Sequence, residues 1–218
     1  SLMHLYTFLI SHFSEKVRWA LDAEGIPFTE KRLLPGPHTL VVRRLAPRTA
    51  VPVLVRDGDV IQGSCAILDY IRDTLGGRRL MPDGFDAAQA ADIEARADRA
   101  FGLGIQRIFY DTLLNDRAAV VGLWSQDGPR WARAFYAVAF RGVARAVRKM
   151  YRIEPAKVEQ AKTLFRATFD DFDRVLATQP YLLGDAPSRA DVSVAALLAP
   201  LCRPKEHVVR WPEVSVEM

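Results

Sequence analysis

Two serines three residues apart, Ser11 and Ser14, follow the apolar run LYTFLI and open the stretch EKVRWALDAEG, which has helical spacing. Cysteines at that spacing would exchange thiols and disulfides. A serine offers a hydroxyl instead, one donor and two acceptor lone pairs, placed here beside the positive end of a helix. The simplest use of such a hydroxyl is to cap the helix. The spacing alone leaves open whether either serine also acts on a bound group. Three further features stand out. Pro52 lies between two valines, Val51 and Val53, at the entry to a strand, where proline is out of place unless it bends the chain or sits at an edge. Gln62, Gly63 and Ser64 mark the start of another helix. Cys65 and Cys202 are far apart, belong to no Cys/His cluster and fit a reduced, cytoplasmic chain; Cys65 reads as buried and inert. The histidines His4, His12, His38 and His207 are scattered, so no metal is expected.

The elements that position these residues follow from periodicity. Residues 3–10 read as a buried strand, and from Ser14 the pattern turns helical, with Val17, Ala20, Leu21 and Glu24 in phase and Gly25 as the C-terminal cap. Residues 27–33 alternate as a second strand, which a right-handed crossover makes parallel to the first. A Pro-punctuated region with a short helix near 38–45 comes next. VPVLV, the turn Asp57-Gly58 and DVIQ then form a hairpin. Ser64 reads as the N-cap of a helix with Ile67, Tyr70, Ile71 and Leu75 on its apolar face, ended by Gly76-Gly77. Strand signals vanish after residue 86. Ile93, Ala97, Phe101, Ile105, Ile108 and Thr112 track one long helix. A second runs from Arg130 to Arg152, and a third starts at Pro155. SRAD spells a capping box, Ser188 with Asp191, that opens the apolar helix VSVAALLAPL and serves folding rather than chemistry. MPDGFD, residues 81–86, marks the boundary between residues 1–80 and 87–218.

Composition narrows the classes further. The chain has 218 residues, half of them hydrophobic, and no apolar run near the ~20 residues that span a bilayer, so no membrane partner and no secretory signal are expected. Its net charge of +4 comes from dispersed arginines with no nucleic-acid motif beside them. Arg141, Arg145, Arg148 and Arg152 read as a solvated stripe.

The element order, together with LYTFLISHFSEKVRWAL, AVPVLV, IQGSCAILDYI and YLLGDAPSRADVSVAALLAPL, resembles the cytosolic glutathione S-transferases over nearly the whole chain, in their bacterial serine/cysteine-type form. The resemblance implies a thioredoxin-like N-terminal domain at 1–80 and an all-helical C-terminal domain at 87–218. It implies glutathione as co-substrate, a hydrophobic small-molecule electrophile, a role in detoxification, and a homodimer. Ser11 matches the residue that holds the glutathione thiolate, with Ser14 as cap or backup. A free thiol has a pKa of about 8.5, and a hydroxyl donated to sulfur favours ionisation. Pro52 matches a cis-proline, preceded by Val51 as the backbone contact to the cysteinyl part of glutathione. Ser64 matches the residue that receives the γ-glutamyl end. Here the sequence departs from the pattern: Gly63 stands where an acidic or amide side chain is usual, with Gln62 as a candidate substitute. Phe101, Ile105 and Phe109, with Tyr110, line either the electrophile pocket or the core. Gly63 also admits an alternative of another class, a transferase-like fold kept as a non-catalytic ligand-binding or interaction protein. A glutaredoxin-like thiol transferase is disfavoured because neither serine is cysteine.

Overall fold

The computed structural model describes residues 2–213, 215, 216 and 218. Among them, four strands form one mixed sheet, β1 (Met3–Thr7), β2 (Thr29–Arg32), β3 (Val53–Arg56) and β4 (Asp59–Gln62), in the order β2-β1-β3-β4. Met3, Leu5 and Thr7 point inward and alternate with partly exposed residues, which is how MHLYT becomes a strand with one buried face. β1 pairs in parallel with β2, from His4 opposite Thr29 to Thr7 opposite Arg32. A parallel pair needs a crossover, and α1 (His12–Glu24) supplies it. The strand stops at Thr7 rather than residue 10, because the chain turns there: the Ser11 N–H returns to the Phe8 carbonyl at 3.2 Å. Gly25 ends α1 in the left-handed conformation, φ 68°, that its lack of a Cβ allows. The hairpin β3–β4 closes through Asp57 and Gly58, both at positive φ. Helix α2 covers only Thr39–Val42, and α3 covers Ser64–Asp73. The cap of α3 is Gly63, with Ser64 as its first helical residue, so the expected Ser64 cap is displaced by one.

The second half is helical: α4 (Ala87–Ala97), α5 (Gly104–Leu113), α6 (Arg117–Trp124), α7 (Ala132–Met150), α8 (Pro155–Leu176) and α9 (Arg189–Cys202). The long helix expected from the 93–112 stripe is interrupted by a π-helical segment, Asp98–Leu103. There the chain runs hard against α1: a Cβ on Gly102 would lie 2.4 Å from Phe13 Cζ, so any other residue would have to displace that ring. Helix α6 has no counterpart among the elements expected from periodicity. Pro155 occupies the first turn of α8, as its spacing predicts. The capping box of α9 is present: the Asp191 carboxylate accepts from the Ser188 N–H at 2.8 Å, and the Ser188 hydroxyl caps the helix.

A buried ion network joins the two halves. The Arg189 guanidinium grips Glu94 of α4 with two bonds of 2.8 and 2.9 Å and donates to Asp69 of α3 at 2.7 Å. The Ser193 hydroxyl completes the shell of Glu94, at 3.0 Å. Glu94 is 2 % exposed, so its charge depends on Arg189. Replacing Arg189 by Met should destabilise the protein by about 3–5 kcal/mol in urea unfolding, since it strands a buried carboxylate. Adding Glu94→Leu should restore most of that loss, and a non-recovering double variant would show that packing, not charge, dominates.

Candidate active site at the end of the sheet

Register gathers the predicted residues at one end of the sheet. Tyr6 of β1 faces Val53 of β3, and Val53 faces Gln62 of β4. The turn after β1, the entry to β3 and the exit of β4 therefore lie side by side, bringing Ser11, Val51, Pro52, Gly63 and Ser64 to one edge. The Val51–Pro52 peptide is cis, as the resemblance implies. The Pro52 carbonyl accepts from the Gly63 N–H at 3.0 Å, tying two of these segments together.

The turn that carries Ser11 is held by Arg18, one α-helical turn beyond Ser14. Its guanidinium donates to the carbonyls of Phe8 (3.4 Å) and Leu9 (3.2 Å) and to the carboxylates of Glu15 (2.9 Å) and Glu30 (2.8 Å). The Thr7 hydroxyl donates to Glu30 at 2.7 Å. Burial opposes ionisation of Glu30, but the Thr7 hydroxyl and the Arg18 charge outweigh it and hold the carboxyl below its ordinary value. Ser11 sits at the N-cap with its oxygen accepting from the Ser14 N–H at 3.1 Å. That bond uses a lone pair and leaves the O–H free to donate. Ser14 is different. It lies inside α1, fully buried, and its hydroxyl meets no partner among the described residues. It is neither cap nor accessible donor.

His12, beside Ser11, is enclosed as well. Its Nε2 lies 3.0 Å from the Gly102 carbonyl and so carries the proton, and its ring stacks on Phe13. Burial pushes its pKa down to about 4 against the pull of the Gly102 and Phe101 carbonyls. Beneath the start of α3, buried Lys16 donates to the Cys65 sulfur (3.2 Å) and to Asp98 (3.3 Å), and the Cys65 thiol donates to Asp98 (3.3 Å). Burial pushes the Cys65 thiol up to about 11, so it stays protonated; it is half-buried rather than buried, and unreactive.

Five candidates, Gln62, Gly63, Phe101, Ile105 and Phe109, are held by other contacts or conformations. Gln62 turns inward: its side chain bonds the carbonyls of Arg48 (2.6 Å) and Ala50 (2.9 Å) and the Arg48 N–H (3.2 Å), bracing the loop before Pro52. Gly63 holds φ 101°, which side-chain-bearing residues rarely adopt, with the Arg48 guanidinium nearby. Phe101, Ile105 and Phe109 are core residues, 0 %, 1 % and 4 % exposed. Phe101 packs on Phe165 and Phe172, and Phe109 on Trp211. The cavity beside the Ser11 turn, about 90 Å³, is lined instead by Leu9, Ile10, Leu34, Pro35, Trp124 and Gly128. Among the described residues no group of three or more His, Cys, Asp or Glu side chains is placed to hold a metal, and no helix is long and apolar enough to cross a membrane.

A sheet begun by a parallel βαβ unit, a cis-proline before its third strand and a helical second half together define a thioredoxin-like domain joined to a helical one. The chain belongs to the glutathione S-transferase family. The family's N-terminal domain matches residues 5–79 and its C-terminal domain residues 155–213. A glutathione S-transferase of Pseudomonas putida is 26 % identical over 194 residues, 88 % of this chain and 71 % of that one. Among solved structures, the β-etherase LigF of Sphingobium sp. strain SYK-6 superposes with a TM-score of 0.71 at 22 % identity, over 95 % of this chain and 87 % of that one. A glutathione S-transferase of Methylobacillus flagellatus KT, solved with GSH bound, gives 0.65 at 18 % identity, over 94 % and 85 %.

The pKa of His12 has a consequence for stability. Between its folded value of about 4 and its ordinary 6.5 the unfolded chain binds more protons, so the stabilisation is complete above pH 6.5 and is lost as pH falls toward 4. The loss is on the order of 3 kcal/mol at most. The urea midpoint should fall over this range more steeply for the natural chain than for His12→Gln; parallel curves would show that His12 contributes nothing to it.

Proposed function

We propose that the chain is a glutathione transferase that ionises the thiol of glutathione with Ser11 and delivers it to a hydrophobic electrophile. The observation that carries the reading is the free O–H of Ser11, at the mouth of α1 and on the edge that holds cis-Pro52 and Ser64. Donated to sulfur beside the helix's positive end, it lowers the thiol pKa. The thiolate then attacks the electrophilic carbon; a sulfur–carbon bond forms and the leaving group departs with the bonding pair. Val51 offers its backbone to the cysteinyl part, and Ser64 at the start of α3 receives the γ-glutamyl carboxylate. The cleft of Leu9, Ile10, Leu34 and Trp124 holds the apolar part of the electrophile. The Pseudomonas putida relative and the GSH-bound neighbour support the co-substrate. The enzyme acts as a cytoplasmic homodimer, the N-terminal domain of one subunit against the helical domain of the other.

Gly63 favours a second reading, a non-catalytic ligand-binding or interaction protein. Glycine gives the γ-glutamyl amine no side-chain acceptor, and Gln62 is engaged elsewhere. Glutathione binding without turnover of any electrophile in a broad panel would select that reading.

Ser11→Ala should lower kcat by about tenfold to a hundredfold at neutral pH, while the Kd for glutathione changes less than about threefold. Ser14→Ala should leave kcat nearly unchanged. Ser11→Cys should shift activity toward disulfide exchange. Full turnover in Ser11→Ala would remove the proposed role.

A further inference from the structure

A second cavity, about 500 Å³, adjoins the loop between α6 and α7. That is the size of a small-molecule site. Its lining includes the small or apolar residues Ala118, Ala119, Gly122 and Pro129 and three cations, Arg130, Arg133 and Arg210. The wall is fastened in place. The Gln126 side chain accepts from the Arg210 N–H at 2.8 Å and donates to the Arg210 carbonyl at 2.9 Å, and the Arg210 guanidinium bonds Asp127 at 3.0 Å.

Asp127 balances Arg210, but the other two cations of this cavity are uncompensated. No aspartate or glutamate is among its lining residues, and Arg130 and Arg133 have no ion-pair partner among the described residues. They flank the start of α7, whose first turn contains no acidic residue and whose N-cap, Trp131, gives no side-chain bond. Cations at a helix N-terminus are locally unfavourable. Here the dipole and two guanidiniums add to one positive potential beside apolar lining residues. A guanidinium pair of this kind suits a planar carboxylate. Leu123, Gln126, Gly128 and Pro129 line both this cavity and the cleft beside Ile10, so one loop serves both.

We infer that this cavity seats the anionic group of an amphipathic organic acid, and, resting on the transferase reading, that the second substrate is such an acid. Its carboxylate pairs with Arg130 and Arg133, its apolar body crosses Leu123, Gly128 and Pro129, which line both cavities, into the cleft, and its electrophilic carbon faces the Ser11 turn.

The test pairs an acid with its uncharged amide. In titration calorimetry without glutathione, para-toluate should bind at least about tenfold more tightly than para-toluamide. Arg130→Gln/Arg133→Gln should abolish that preference while amide binding and glutathione binding stay unchanged. With glutathione, para-(chloromethyl)benzoate should exceed para-(chloromethyl)benzamide in kcat/KM by a similar factor, lost in the same variant; the thiolate displaces chloride from the benzylic carbon in both. Equal binding of acid and amide, or a preference that survives the double substitution, overturns the site. Acid preference in binding with no turnover of either chloride keeps the site and overturns its assignment to the second substrate, while the broad electrophile panel decides the transferase reading separately.

Discussion

One guanidinium fixes the geometry on which the site depends. Arg18 reaches back from α1 to the carbonyls of Phe8 and Leu9, and it balances its charge against Glu15 and Glu30. Hydrogen bonds to a charged group contribute about 1.5–3 kcal/mol each when shielded from solvent. The turn between strand and helix therefore cannot relax, and Ser11 follows from it at a set position on the first helix. A hydroxyl held this way needs no rearrangement when charge develops beside it, which is what electrostatic preorganisation requires.

The helical half completes that frame. Its π-helical segment sends Asp98 to Lys16 and Cys65, and Gly102 to His12 and Phe13. Both α1 and the start of α3 are thus clamped to the same segment. Arg189 adds a third tie, between α3, α4 and α9. The edge that gathers Ser11, cis-Pro52 and Ser64 sits on a scaffold pinned from two directions, while the cleft walls come from the turn after β1, the loop after β2 and the end of α6 with the loop after it. Residues 80–154, which include that second loop, lie between the two family matches.

Much of the fold was legible because turn and cap residues carry local physics. Gly25, Asp57-Gly58, Pro155 and the Ser188–Asp191 box each mark a boundary that the structure keeps. The illegible parts share a different cause. Helix α6 is short, and its run VVGLW has no helical period to detect. The π-helical segment keeps the apolar stripe intact while shifting the backbone beneath it. Phe101, Ile105 and Phe109 show the same stripe whether they face a pocket or a core, so only packing distinguishes the two. Nothing in the spacing singles out Arg18 or Lys16, yet both are buried, paired with Glu30 and Asp98, which are distant in sequence. Gln62 sits beside the expected site, but its amide satisfies backbone groups of the preceding loop, a bond no spacing announces.

The central claim is that Ser11 keeps a borrowed thiol ionised, and the most direct measurement is the pKa of glutathione's thiol in the complex, read from thiolate absorbance as pH is raised. The bound thiol should titrate well below the ordinary value of about 8.5 and return toward it in Ser11→Ala. A bound thiol that titrates like free glutathione in the natural chain would contradict the claim.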